Sequence, residues 1–188
     1  MIEIYEFALS TAIIILAELA DKTMVATVST VLASGRILKT VIVATLAFTL
    51  ANIIPVVGAI TARFFLPTQL LLYVSSALFI FFGLFYILFE PREERYEGKF
   101  TSKSLVAVFS LVALSELGDK TQLSLMALAL EARSAVCVFL GAIMGFFTLN
   151  IVASILLTRI VKVDYRSLSR IVGLVFVLVG LASFLNII

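Results

Sequence analysis

The chain has 188 residues, 62% of them hydrophobic and 14% charged, with a formal net charge of +2 and a mean hydropathy of +1.20. That is far too apolar for a soluble domain of this size, so the sequence reads as an all-α, polytopic membrane protein. The absence of histidine and the single cysteine, Cys137, exclude a disulfide, a zinc-finger spacing and a Cys/His nucleophile pair, and the basic residues sit beside apolar segments rather than forming a nucleic-acid patch.

The first apolar stretch, residues 4–33, has only Glu3 and Glu6 as early charges. It lacks the basic region of a cleaved signal peptide and reads as a true membrane segment. Near its middle lies Glu18-Leu19-Ala20-Asp21-Lys22-Thr23. At about 1.5 Å per residue this stretch would extend about 45 Å as one helix, more than the hydrocarbon core. A tilted, broken or partly unwound segment is expected, with the break at the hexapeptide. In an unbroken helix Glu18, Asp21 and Lys22 share a face, whereas Thr23 lies about 140° from Glu18 and joins it only if the helix distorts.

Residues 40–62 and 64–89 are the next two spans, each near the roughly 20 residues that cross a bilayer as helix. Asn52 lies in the first of them, and Pro55 could kink that helix and free a backbone carbonyl. Residues 91–103 form a hydrophilic linker; Glu93, Glu94 and Glu97 interleave there with basic residues, as in a solvated connector.

Residues 104–130 repeat the opening pattern, with Glu116-Leu117-Gly118-Asp119-Lys120-Thr121 near the middle. Spans at 134–158 and 171–188 complete a set of six transmembrane helices. Gly141 and Gly145 form a GxxxG that signals close helix packing. The phenylalanines read as lipid-facing or packing surface and Cys137 as a small buried apolar residue.

The hexapeptides lie 98 positions apart, and the same offset pairs Asn52 with Asn150. Residues 1–90 and 104–188 each hold three helices, and an odd count brings the second half in from the opposite side. The expected architecture is therefore two inverted-topology three-helix repeats, with the hexapeptides meeting near the midplane. Arg36, Lys39, the basic residues of the linker, Arg159, Lys162, Arg166 and Arg170 fall on one side, against Arg63 and Arg133 on the other. The positive-inside rule makes the first side cytoplasmic, with both termini outside.

Moving an ionised side chain to the bilayer centre costs roughly 2.5–3.5 kcal/mol, so intramembrane carboxylates mark ion or substrate pathways. Glu18, Asp21, Glu116 and Asp119, offset by Lys22 and Lys120, leave a formal charge that one divalent cation neutralises. Hard cations such as Ca²⁺, Mg²⁺ and Mn²⁺ prefer oxygen ligands, and Thr23, Thr121, Gln122, Asn52 and Asn150 could complete the shell. A competing structural reading makes Glu18–Lys22 and Glu116–Lys120 i,i+4 ion pairs. Duplication, with an additional aspartate in each copy, weighs against it, because burying unmatched carboxylates brings no packing benefit. Asn52 and Asn150 could equally make interhelical hydrogen bonds. Clustered carboxylates bind protons and cations in competition, so cation entry could expel protons, a physical basis for exchange.

With its doubled hexapeptide the chain resembles the Gdt1 family of cation transporters, whose signature is a duplicated Glu-x-Gly-Asp-(Lys/Arg)-(Ser/Thr) in a six-helix membrane protein. The resemblance implies a secondary transporter moving Mn²⁺ and Ca²⁺ out of the cytosol, or into secretory compartments, in exchange for protons. By motif position it makes Glu18, Asp21, Glu116 and Asp119 the cation ligands, with Lys22, Thr23, Lys120 and Thr121 in the remaining places. The metal is then transported substrate, and no resident cofactor is expected. The first copy departs twice from the pattern. Ala20 replaces glycine, which makes local unwinding harder, and Met24 stands where the second copy has Gln122. Met24 could offer a thioether favouring Mn²⁺ or simply pack. Two other functions fit the same carboxylates: export of a small organic cation such as a basic amino acid, or a non-transporting membrane scaffold. Neither a Ser/His pair nor a metalloprotease helix motif argues for an enzyme. The expected partners are a divalent metal ion, protons and the bilayer, here a plasma membrane, with homodimerisation left open.

Overall fold

A computed structural model of the chain describes residues 2–19, 21–88, 104–157 and 165–185. The linker 91–103 lies outside the described residues. All regular structure among them is helical: α1 (Ile2–Glu18), α2 (Lys22–Ser34), α3 (Ile37–Phe65), α4 (Thr68–Leu88), α5 (Leu105–Glu116), α6 (Lys120–Glu131), α7 (Ala135–Leu157) and α8 (Tyr165–Phe184). Three of these, α3, α4 and α7, are long and apolar enough to cross a membrane.

Both hexapeptide stretches are broken, α1 from α2 and α5 from α6. The two breaks share one geometry, in which the Asp21 N–H donates to the Glu18 carbonyl at 3.0 Å and the Asp119 N–H to the Glu116 carbonyl at 3.2 Å. Each aspartate then adopts extended backbone as the N-cap of the next helix, a position that aspartate favours. In the second half Gly118 takes φ 75°, a left-handed conformation that suits glycine. In the first half alanine stands at the matching position, and α1 and α2 are likewise separate helices, with extended Asp21 starting the second. Further along, Gly35 at φ 68° closes α2 with its N–H on the Val31 carbonyl at 2.8 Å. Leu66, held extended by the following Pro67, closes α3.

The 98-residue offset maps α1 to α5, α2 to α6, α3 to α7 and α4 to α8, and the packing follows it in part, α4 lying also on α6. α1 lies on α7 as α5 lies on α3, and α4 pairs along α8. Phe48 and Phe146, themselves 98 apart, stack with ring centroids 4.2 Å apart where α3 crosses α7. Phe79 and Phe176 meet edge-on between α4 and α8. Other phenylalanines, including Phe64, Phe65 and Phe81, are exposed together with Leu46, Leu50 and Ile54 of α3, an apolar exterior suited to lipid rather than water.

Gly141 and Gly145 serve the close packing that the sequence predicts. A Cβ on Gly141 would collide with the Phe7 carbonyl of α1, and one on Gly145 would lie 2.7 Å from the Thr11 carbonyl oxygen. The same contact is tied by Ser10 Oγ donating to the Val138 carbonyl at 2.7 Å and Thr11 Oγ1 to the Gly141 carbonyl at 3.0 Å. Because the obstructing atoms are backbone, Gly141→Leu must separate the helices, and we expect destabilisation of about 1–3 kcal/mol or more. A fall in thermal midpoint in detergent would register it; an unchanged midpoint would show that α1 does not depend on this seat. Cys137 is half-buried rather than buried.

Candidate metal centre

The two breaks face each other, and the carboxylates converge there. Glu18, at the end of α1, is fully buried. Its Oε1 accepts from Thr121 Oγ1 of the other break at 2.6 Å, and its Oε2 accepts from Thr23 Oγ1. Thr23 reaches Glu18 only because the helix between them is interrupted. The i,i+4 arrangement of Glu18 and Lys22 in one helix is overturned by the same interruption, which leaves Lys22 exposed. Lys120 crosses instead to the first half, its Nζ 2.9 Å from Asp21 Oδ1.

Ligand oxygens of Glu18, Asp21 and Asp119 lie within 4.8 Å of one another. Three carboxylates from two helix breaks at that spacing form an oxygen-rich nest of the kind hard divalent cations prefer. Asp119 also accepts from the Thr121 N–H at 3.4 Å as it caps α6. Glu116, fully buried, stands outside this trio. One of its oxygens accepts from Asn52 Nδ2 at 3.3 Å, while Glu116 Oε1 and Asn52 Oδ1 are buried without hydrogen-bond partners among the described residues. Asn150 repeats the backbone anchor of Asn52: Asn52 Nδ2 donates to the Phe48 carbonyl at 3.0 Å and Asn150 Nδ2 to the Phe146 carbonyl at 2.9 Å. Asn150 Oδ1 is likewise buried and unpartnered. Orphaned acceptors carry a desolvation cost, and that of Asn52 belongs to a side chain hydrogen-bonded to Glu116.

Met24 and Gln122, at matching repeat positions, do different work, and Pro55 explains why. Proline has no N–H, so it leaves the carbonyl four residues earlier, that of Ala51, without its helical donor. Gln122 Nε2 donates to the Ala51 carbonyl at 2.8 Å, and Gln122 Oε1 accepts from the Gly118 N–H at 3.0 Å. The freed carbonyl thus docks α6 onto α3. In the other half the offset replaces Pro55 by Ala153, and Met24 packs with Val28 of α2 against Leu149 and Ala153. Both polar ends of Gln122 are therefore engaged in holding the break, and the Met24 side chain lies in an apolar cluster. Gln122→Met should destabilise the protein by about 1–2 kcal/mol by orphaning the Ala51 carbonyl, and markedly less when Pro55→Ala restores a backbone donor. Equal losses in both backgrounds, read as thermal midpoints, would contradict the coupling.

One supporting residue was not singled out from the sequence. Glu6, buried on α1, accepts from the Arg133 and Ser134 N–H groups at 2.6 and 3.1 Å and so caps the start of α7. An acidic side chain inside an otherwise apolar helix was the available signal.

A family model described as divalent cation/proton antiporter GDT1 matches the chain over residues 6–94 and 104–187. Neither a curated protein nor a solved structure matches it.

Proposed function

The chain belongs to the divalent cation/proton antiporter GDT1 family, a family of transporters rather than enzymes, and on that premise we propose that it exports Mn²⁺ and Ca²⁺ from the cytosol in exchange for protons. The observation that carries the choice of site is the convergence of Glu18, Asp21 and Asp119 oxygens within 4.8 Å. Glu116 is the fourth carboxylate, joining the shell when Asn52 releases it. The membership and the apolar helices make the chain an integral membrane protein.

In this reading the halves 1–90 and 104–188 are inverted repeats joined by a cytoplasmic linker, both termini face outward, and the membrane is the plasma membrane. The packing of α1 on α7 and of α5 on α3 supports the repeat. So does the Phe48–Phe146 stack. Basic residues concentrated on the linker side support the orientation. Exchange follows from competition: protons that hold the carboxylates together leave when a divalent cation replaces them, and return when it departs on the other side.

Reconstituted protein should accumulate Mn²⁺ and Ca²⁺ against their gradients when an opposing proton gradient is imposed. Accumulation should cease when a protonophore collapses that gradient. Cation flux indifferent to the proton gradient would retain the metal site and remove the exchange; no flux of either ion would remove both.

A further inference from the structure

The two halves of the bundle differ in chemistry at five offset-related positions. On one side of the carboxylates lie α2, the first turns of α3 and the last turns of α7. These carry Thr27, Thr30, Thr40, Thr45 and Ser154, every one buried. Packing of Met24 and Val28 against Leu149 and Ala153 places the end of α7 beside α2 in this half. At the positions related by the 98-residue offset stand Leu125, Leu128, Val138, Ile143 and Val56. Five hydroxyls on one side are thus five aliphatic side chains on the other, where the buried hydroxyls of Ser10, Ser75 and Ser124 each donate to a carbonyl. Leu125, Leu128, Val138 and Val56 belong to a single buried apolar cluster.

The hydroxyls are poorly employed where they are. Thr27 and Thr30 donate only to carbonyls of their own helix, those of Thr23 and Ala26, at 2.8 and 3.0 Å. Thr40 Oγ1, Thr45 Oγ1 and Ser154 Oγ have no hydrogen-bond partner among the described residues, and neither does Asn150 Oδ1. A buried hydroxyl without a partner is a cost that an apolar residue of similar shape avoids, and the other half uses such residues. Packing alone gives no reason for the difference.

We propose that this hydroxyl-bearing half, on the side of Arg36 and Lys39, is the hydrated approach by which the cation reaches the carboxylates. Its aliphatic counterpart is the dry seal on the opposite side. Hydroxyl oxygens replace part of a hard cation's water shell without adding charge that would trap it. An aliphatic wall excludes water until the helices move apart. The inference rests on the reading that these carboxylates bind the transported ion, and by the orientation given above the approach opens to the cytosol.

The test uses single cysteines in the Cys137→Ala chain, reconstituted in liposomes and exposed on both faces to a small, water-soluble cationic thiol reagent. Ser154→Cys and Thr45→Cys should react at least about tenfold faster than Leu125→Cys and Val138→Cys, with Mn²⁺ slowing the first pair. Equal rates, or the reverse order, would overturn the proposal. A second measurement uses Thr45→Val with Ser154→Ala, which should retain Mn²⁺ binding and lose at least about fivefold in flux; unaltered flux would also overturn it. Mn²⁺ flux in the Cys137→Ala parent reports separately on the transport reading. The expected labelling order without flux would sink transport and leave the hydrated half standing, whereas flux with the reversed order would sink this proposal alone.

Discussion

Glu18→Gln should lower Mn²⁺ and Ca²⁺ flux by at least about 100-fold, because site affinity for hard cations rises steeply with the number of charged ligands and this change removes one of three. The substitution keeps the side chain's size and its place between two threonines. It replaces one acceptor oxygen by an N–H group that must face the hydroxyl of Thr23 or Thr121, both of which now donate to Glu18. A glutamine therefore loses charge and disorganises the tie between the two breaks. The protein should still fold, since the seats of α1 on α7, at Gly141 and Gly145, and of α4 on α8 lie away from this residue. Unchanged elution on size exclusion together with lost flux is the expected pair of results. Undiminished flux in a folded Glu18→Gln protein would sink the assignment of the cation site. Asp119→Asn should behave alike, whereas Glu116→Gln separates the fourth carboxylate's role. If Glu116 joins the shell only during transport, resting Mn²⁺ affinity should fall less than flux does.

Much of this arrangement was legible in the sequence, and its limits have physical reasons. The 98-residue offset, the paired hexapeptides and the excess length of their apolar stretches pointed to two interrupted helices, and both interruptions are present. Spacing within a helix, however, speaks only of neighbours along the chain. It suggested Lys22 beside Glu18, whereas the observed cation at the cluster is Lys120 on Asp21, from the opposite half. A contact across the two halves leaves no mark in local periodicity. The hydrogen bond between Glu116 and Asn52 of α3 is hidden for the same reason. Helix ends are harder to read where hydropathy and helix propensity part company. Hydropathy marks the last span from residue 171, yet α8 begins at Tyr165, because arginine ends an apolar run without opposing helix. The unlike residues Met24 and Gln122 looked like a question of ligand softness; Pro55 turns them into a question of which carbonyl lacks a donor.

Lys120→Met should tighten Mn²⁺ binding by about tenfold or more and at the same time slow export, since a unit charge removed at this range alters the field at the site substantially even after screening. The Lys120 ammonium lies 2.9 Å from Asp21 Oδ1, and neither side chain is more than about a fifth exposed (22% and 11%). On the proposed site it stands beside the position that an incoming cation would share, so that binding would require the ion pair to open. Methionine matches the aliphatic length and fills the space without the charge, leaving Asp21 available to the metal at all times. The gain in affinity is then also the loss in turnover. Without a tethered cation to re-pair with Asp21, the departing metal leaves a carboxylate exposed in a nearly dry site, and the release barrier rises. Lys120→Arg keeps the charge and should keep the affinity close to that of the parent. Titration calorimetry with Mn²⁺ beside flux in the same preparation separates the outcomes. Tighter binding with slower flux supports a movable counter-charge, whereas unaltered affinity in Lys120→Met would place the metal away from Asp21 and remove Lys120 from the exchange.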